Sequence, residues 1–164
     1  MKKNLFLVCL FMFGTLASCQ CSSKKSADNA VVNTTETPVP LGDPFILLHD
    51  GVYYAYGTHS NKGIEFYTSD DLLTWKYGGL ALNKEDSWAD RWFWAPEIYF
   101  VNGKFYMYYS ADEHICVAVA DSPTGPFVQD KKEPMIADEK CIDNSLFIDD
   151  NGTPYFCLLY TSPS

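Results

Sequence analysis

Three short segments of this 164-residue chain repeat one arrangement, an apolar run, then Asp-Gly or Asn-Gly, then a run rich in aromatic residues. The three pairs are Asp50-Gly51, Asn102-Gly103 and Asn151-Gly152. Such a pair between two runs is a strong hairpin signal, because a type I′ turn needs positive φ at both central residues. The three glycines lie 52 and 49 residues apart. A repeat of that length that opens on a hairpin predicts a β-propeller.

A second pair of segments repeats with nearly the same spacing. Residues 64–70 correspond to residues 115–121, and each segment ends in an aspartate. Each is followed by a turn and then by an aromatic strand, at Trp75 and at Phe127. Each unit therefore predicts four antiparallel strands, which form one blade. An unrelated all-β sandwich with similar turns is the alternative fold.

The length of the chain limits how many blades it can hold. Sequence suited to folding begins near Leu41, so residues 41–164 are expected to hold about two and a half blades. Propellers close with roughly four to eight blades. We therefore expect a fragment of an all-β, five-bladed propeller. Residues 157–164 resemble a translated adapter from sequencing-library preparation, and a native strand over residues 155–160 is the alternative.

The first 40 residues predict a targeting signal followed by a tether. Lys2-Lys3, the apolar residues 5–16 and the small residues before Cys19 predict a lipoprotein signal over residues 1–18, with the Cys19 thiol acylated. A secretory signal cut near Ala17 is the alternative. Residues 19–40 are rich in Ser, Thr, Asn, Lys and Pro and predict a flexible tether. We expect a lipid-anchored protein of the bacterial cell envelope, and the side of the membrane that it faces stays open.

Charge and cysteine content restrict the partners. Removal of Lys2 and Lys3 with the signal leaves ten basic residues against 21 acidic ones, which disfavours nucleic acid and is compatible with a neutral oligosaccharide or polysaccharide. The three histidines and six cysteines form no pattern of metal ligands, so no metal or cofactor is expected. Cys116 and Cys141 could form a disulfide or remain buried thiols.

Candidate site residues are found by counting back from the turn glycines. Asp43 lies eight residues before Gly51, whereas Trp94 and Asp143 each lie nine residues before their glycines. In a propeller these positions fall at the start of the innermost strand of successive blades. Two carboxylates and an indole are therefore expected to meet in one pocket, a combination that suits acid–base work on a glycosidic bond and stacking on a sugar ring.

Three motifs in this order resemble glycoside hydrolase family 43. They are Leu41-Gly-Asp-Pro-Phe-Ile, Trp94-Ala-Pro-Glu97 and Ile142-Asp-Asn-Ser-Leu-Phe-Ile. The resemblance implies a five-bladed propeller that cleaves arabinofuranosyl or xylosyl linkages of plant polysaccharides with inversion. It also implies that Asp43 is the general base, that Asp143 tunes the pKa of the acid and orients the sugar, and that the general acid is a Glu on a later blade.

The other candidates have structural alternatives. Trp92 is expected to form a sugar subsite beside Trp94 or to pack between blades, and His59 to bind a hydroxyl or lie free on the surface. Asp43 could cap a strand and Asp143 could form an Asx-turn. Glu97 is expected to be structural.

Two other functions remain open from the sequence. A non-catalytic glycan-binding propeller lipoprotein would keep the aromatic residues but would not need Asp43 and Asp143 together. A retaining fructan-cleaving relative usually has Asn before Asp-Pro, where this chain has Gly42.

Overall fold

The computed structural model of the protein describes residues 38–161. Within this range the chain forms nine β-strands in three antiparallel sheets and one 3₁₀ turn, Lys84–Asp86. The strands are β1 Gly42–His49, β2 Val52–Thr58, β3 Gly63–Ser69, β4 Lys76–Asn83, β5 Trp94–Val101, β6 Lys104–Ala111, β7 His114–Ala120, β8 Cys141–Ile148 and β9 Pro154–Tyr160. None of these elements is a helix long and apolar enough to cross a membrane. The predicted signal, the acylated Cys19 and nearly all of the tether lie outside the described residues.

The three sheets follow one another along the chain as blades. The first has the order β1-β2-β3-β4, the second β5-β6-β7 and the third β8-β9. The first strand of each sheet packs beside the first strand of the next, because β1 contacts β5 and β5 contacts β8. The predicted all-β propeller architecture is therefore confirmed, and β1, β5 and β8 are its innermost strands.

The first two hairpins have the predicted two-residue turns. Asp50 and Gly51 have φ values of 49° and 80°, and Asn102 and Gly103 have values of 50° and 79°. Positive φ at both positions is the requirement of a type I′ turn. In these two hairpins the sequence rule and the structure agree.

The third hairpin differs from the prediction, because five residues, 149–153, connect its strands. Ile148 pairs with Pro154, whose nitrogen has no hydrogen to donate. The amide of Asp149 donates to the carbonyl of Thr153 at 3.0 Å, and its side-chain Oδ1 also accepts hydrogen bonds from the amides of Asn151 at 2.9 Å and Thr153 at 2.8 Å. Asn151-Gly152 therefore lies within a longer turn.

The predicted fourth strand of the second blade is reduced to a single bridge at Val128. This residue exchanges backbone hydrogen bonds with Val119 at 2.9 and 3.0 Å. The amide of Phe127, next to it, donates to Ala81 of the first blade at 2.8 Å. Because neighbouring amides point to different blades, the segment joins the two sheets and does not extend either of them.

The core lies between the first two blades. Its large side chains are at most 2% exposed and come from both sheets and from the connection between them: Tyr56, Ile64, Leu82, Phe93, Ile98, Phe105, Met107, Tyr109 and Phe127. Cys116 and Cys141 are both buried free thiols. Burial raises the pKa of the Cys116 thiol to about 12.

Candidate active site

Each innermost strand carries a β-bulge near its start. The register shifts between Gly42 and Phe45, between Trp94 and Glu97, and between Ile142 and Ser145. Inside the bulges, Asp43, Ala95 and Asp143 have φ values of 44°, 41° and 53°. Positive φ is uncommon for residues other than glycine, and bulges redirect side chains at the ends of strands. The same distorted position is therefore repeated in three blades.

The residue of the second blade that corresponds to Asp43 is Ala95, one position after Trp94. Trp94 pairs with Ser110 as Gly42 pairs with Thr58, so Trp94 precedes the bulge. The expected alignment of Trp94 with the two aspartates is wrong by one residue. The bulge residues of the first two blades, Asp43 and Ala95, each lie eight residues before their turn glycines. Asp143 lies nine residues before its glycine because the third turn is longer, and this difference caused the misalignment.

The bulges meet at an open cleft. It is lined by Asp43, Pro44, Phe45, Ala95, Pro96, Glu97, Asp143 and Asn144. All eight residues come from the bulges of β1, β5 and β8. The structure thus brings together the two aspartates that lie 100 positions apart in the sequence.

The charge of Asp43 acts on the carboxyl group of Asp143. The pKa of Asp143 is raised, first by desolvation and then by the negative charge of Asp43. A like charge close by disfavours ionisation because it raises the energy of the charged form. Asp143 therefore holds its proton more tightly than an isolated aspartate, as expected of a carboxyl group in a shared site.

Hydroxyl groups on the second strands hold the bulges in place. Thr58, at the end of β2, donates from Oγ1 to Oδ2 of Asp43 at 2.9 Å and accepts from the amide of Ala95 at 3.0 Å. Ser110, near the end of β6, accepts from the amide of Asp143 at 3.2 Å. Thr58 and Ser110 occupy equivalent positions in their blades, so each contacts the bulge of the next blade.

Glu97 combines a structural contact with a place in the cleft. Its Oε2 accepts hydrogen bonds from the Tyr99 hydroxyl and, at 3.3 Å, from the amide of Leu146 on the third blade. Burial, followed by the bond to Glu97, raises the pKa of Tyr99 to about 12. The expected structural role is present, and the sequence did not reveal that Glu97 also lines the cleft.

The two predicted aromatic residues form a stack outside the cleft lining. The rings of Trp92 and Trp94 lie 5.7 Å apart and within 13° of parallel. The guanidinium of Arg91 lies 4.3 Å above the Trp92 ring and is paired with Asp112 at 2.7 Å. Trp92 is 41% exposed, although the Arg91 guanidinium and the Trp94 ring both lie against it, so part of its ring system faces solvent beside the bulge of β5. The cation over the ring favours one orientation of the Trp92 side chain.

His59 lies on the surface and bonds to another side chain. Its Nδ1 is 2.6 Å from Oε2 of Glu65, and Oε1 of the same carboxylate accepts a hydrogen bond from the Tyr77 hydroxyl at 3.2 Å. His59 is not among the residues that line the cleft, and its contact with a sugar stays a prediction. Among residues 38–161, no three His, Cys, Asp or Glu side chains are grouped to hold a metal ion.

Sequence reasoning missed Asn144. This residue is 4% exposed and lines the cleft, and its Oδ1 has no hydrogen-bond partner among the described residues, 38–161. The corresponding residues of the first two blades are Pro44 and Pro96, so Asn144 departs from the repeat. Aligning the three bulge sequences, Asp-Pro, Ala-Pro and Asp-Asn, would have shown that Asn144 departs from the other two.

Comparison with known proteins agrees with this geometry. The family model described as glycosyl hydrolases family 43 matches residues 35–163. The chain is 40% identical to xylosidase/arabinosidase 43A of Humicola insolens, over 73% of this chain and 43% of that protein. A crystal structure of an endo-1,4-β-xylanase from Bacteroides thetaiotaomicron matches with a TM-score of 0.70 and 49% identity, over 73% of this chain and 43% of that one.

A second similar structure contains a sugar. It is a β-xylosidase/α-arabinofuranosidase from a compost microbial metagenome in complex with xylotriose, 30% identical, with a TM-score of 0.58 over 71% of this chain and 41% of that one. This chain thus spans about two fifths of the length of each of these three relatives.

Proposed function

This chain belongs to glycoside hydrolase family 43, and on that premise we propose that it is part of a longer enzyme that hydrolyses arabinofuranosyl or xylosyl linkages of plant polysaccharides with inversion. The observation that carries the proposal is the meeting of Asp43 and Asp143 in one cleft. Glycosidic hydrolysis needs a carboxylate base and a carboxylic acid, and in this proposal the cleft supplies the base, Asp43, and a second carboxyl group, Asp143, that acts on the acid. The xylosidase, arabinosidase and xylanase activities named for the relatives support the substrate class.

Asp43 acts as the general base in this proposal. Its ionised carboxylate takes a proton from a water molecule while the oxygen of that water attacks the anomeric carbon. The bond to the leaving oxygen breaks in the same step, and a Glu on a later blade protonates that oxygen. In inverting enzymes the base and the acid stand roughly 6.5–9.5 Å apart, which leaves space for the water. The position of Asp43 at the exposed rim of the cleft suits a group that must contact water.

Asp143 has an electrostatic role. A negative charge near the general acid raises the pKa of that acid, which keeps it protonated near neutral pH. The effect of the Asp43 charge on the pKa of Asp143 supports this role, because it shows that Asp143 lies within electrostatic reach of the base. Asp143 also offers oxygen atoms that can accept hydrogen bonds from sugar hydroxyls.

The Trp92–Trp94 stack supplies an apolar platform beside the carboxylates. An exposed aromatic face stacks on the apolar face of a sugar ring. The net excess of acidic residues favours neutral sugars over anionic ones. We therefore include a neutral arabinose- or xylose-containing chain, extending from the cleft across Trp92, in the proposal.

The test uses the full-length protein and compares Asp43→Asn with Asp50→Asn. Asp50 lies in the exposed hairpin turn at the opposite end of β1 and is the matched control. Asp43→Asn is expected to lose at least about 10²-fold in kcat on aryl arabinofuranosides or xylosides, because an amide cannot accept the proton. Asp50→Asn is expected to behave as wild type.

The stereochemistry of the first product separates the remaining functions. Proton NMR of the fresh product should show an inverted anomeric configuration. A retained configuration would contradict the role of Asp43 as a base and would favour the retaining relatives. Binding of xylo- or arabino-oligosaccharides without turnover by wild-type protein would favour the non-catalytic glycan-binding propeller, in which the Trp92–Trp94 stack alone is needed.

A further inference from the structure

We propose that Thr58 is a positioning residue that fixes which oxygen of Asp43 acts as the base, an inference that rests on the proposed function. The Thr58 hydroxyl contacts two groups. It donates to Oδ2 of Asp43 at 2.9 Å and accepts from the amide of Ala95 at 3.0 Å. A hydroxyl has one hydrogen and two lone pairs, so both bonds can exist at once.

The direction of the two bonds is set by chemistry. The amide of Ala95 can only donate, so the hydroxyl must use a lone pair toward it. Its single hydrogen is then free for the Asp43 carboxylate, which can only accept when it is ionised. The second blade therefore orients a hydroxyl of the first blade toward the base.

The frame around this hydroxyl is rigid. Thr58 pairs with Gly42 in the backbone ladder, immediately before the bulge that contains Asp43. Threonine is branched at Cβ, which restricts rotation about χ1. Asp43 itself is exposed, and within the described part of the chain the bond from Thr58 is the side-chain hydrogen bond that limits rotation of its carboxylate. With Oδ2 held by Thr58, Oδ1 is the oxygen left to accept the proton of the attacking water.

The second blade provides an internal comparison. Ser110 occupies the position of Thr58, and its hydroxyl likewise accepts the amide of the next bulge residue, Asp143. The bond between blades is therefore a feature of the repeat. Thr58 makes a further bond, to the carboxylate of Asp43, which acts as the base. This further bond gives Thr58 a positioning role in addition to the structural role that it shares with Ser110.

The test measures kcat and KM of the full-length protein carrying Thr58→Val, Thr58→Ala or Thr58→Ser. Valine keeps the shape of threonine without the hydroxyl, and serine keeps the hydroxyl. Thr58→Val is expected to lower kcat by roughly 10- to 100-fold with KM changed by less than about threefold, because the base is misaligned while the sugar contacts remain. Thr58→Ser is expected to restore kcat to within about threefold of wild type.

Circular dichroism of each variant at the assay temperature shows whether it is folded. If Thr58→Val does not fold, the comparison of Thr58→Ala with Thr58→Ser, which differ by one hydroxyl, carries the same test. A wild-type kcat in a variant without the hydroxyl would overturn the inference and leave the proposed function intact, as would a loss that serine does not restore. Absence of turnover by wild-type protein on both substrate classes would overturn the proposed function, and this inference with it, before any variant is compared.

Discussion

The side-chain oxygen of Gln129 accepts a hydrogen bond from the amide of Trp88 at 2.8 Å, although the two residues lie 41 positions apart. The same oxygen accepts from the Tyr109 hydroxyl at 3.2 Å, and the side-chain nitrogen donates to the carbonyl of Glu133 at 2.6 Å. Gln129 is 3% exposed. A buried amide with its bonds satisfied thus anchors the start of the loop that presents Trp92.

Replacement of Gln129 by methionine, which has a similar shape, should destabilise the protein. The Trp88 amide would lose its acceptor in a partly buried environment, which costs about 1–3 kcal/mol of unfolding free energy, whereas the Tyr109 hydroxyl would keep its bond with Ser87 at 2.7 Å. Urea unfolding of the full-length protein, followed by tryptophan fluorescence, measures the change. Asp130→Asn, at the exposed neighbouring position, is the control and should have no effect. Equal midpoints for the two variants would contradict the anchoring role.

Asn144→Pro should stabilise the protein. Within residues 38–161, Oδ1 of Asn144 is buried without a partner, and the corresponding residues of the other two bulges are Pro44 and Pro96. The residues that precede these two prolines have positive φ, as Asp143 has, so proline at position 144 would repeat the pattern of the other two bulges. Removal of the unpaired oxygen and of chain entropy in the unfolded state should contribute about 1–2 kcal/mol, which outweighs the loss of the long bond of 3.5 Å from Nδ2 to the carbonyl of Tyr108.

Thermal unfolding of Asn144→Pro and Asn144→Ala measures this effect. Alanine removes the amide but leaves space unfilled, so it should stabilise less than proline does. A lower melting temperature for Asn144→Pro would indicate that the amide oxygen has a partner on another part of the full-length protein, and would contradict the prediction.

Cys19→Ala should change how the full-length protein is processed and where it is found. The signal predicted over residues 1–18 leads to an acylated Cys19, and more than one acyl chain gives stable attachment to a membrane. Wild-type protein is expected in the detergent phase of a Triton X-114 separation, whereas the alanine variant should be unprocessed or released. The same partition and the same mass for both proteins would refute the lipoprotein assignment.

Much of this fold could be predicted from local sequence signals. The turns at Asp50-Gly51 and Asn102-Gly103 depend on two adjacent residues, so their chemistry alone fixes them. The length of the third turn could not be predicted, because side-chain bonds from Asp149 to the amides of Asn151 and Thr153 add to its backbone bonds across five residues. The incomplete fourth strand of the second blade depends on hydrogen bonds of Phe127 to another sheet, which no local signal records.

The sequence predicted the two carboxylates of the candidate site but not the residues that hold them in place. Asp43 and Asp143 were found because spacing and motif agree on them. Ala95 was missed because Trp94 was aligned with Asp143, which lies one residue farther from its glycine as a result of the longer third turn. Thr58 was missed because its partners come from two blades, and a hydrogen bond between blades depends on tertiary packing.

Asp43→Asn should lower the pKa of Asp143. Desolvation is the larger cause of the raised pKa and remains in the variant, whereas the charge of Asp43 is removed. The pKa should therefore move toward the ordinary aspartate value of about 3.9 without reaching it. Carbon-13 NMR of the Asp143 carboxyl measures the shift, and Asp50→Asn is the control.

The same substitution should change how stability depends on pH. A carboxyl group whose pKa is raised on folding binds its proton more tightly in the folded state, so stability falls as pH rises from the unfolded pKa to the folded one. The penalty is complete above that window and absent below it. Asp43→Asn should therefore gain stability relative to wild type at about pH 7 and gain less at about pH 3, where aspartates are mostly protonated. A gain of equal size at both pH values would show that the two carboxylates do not repel each other in the folded protein.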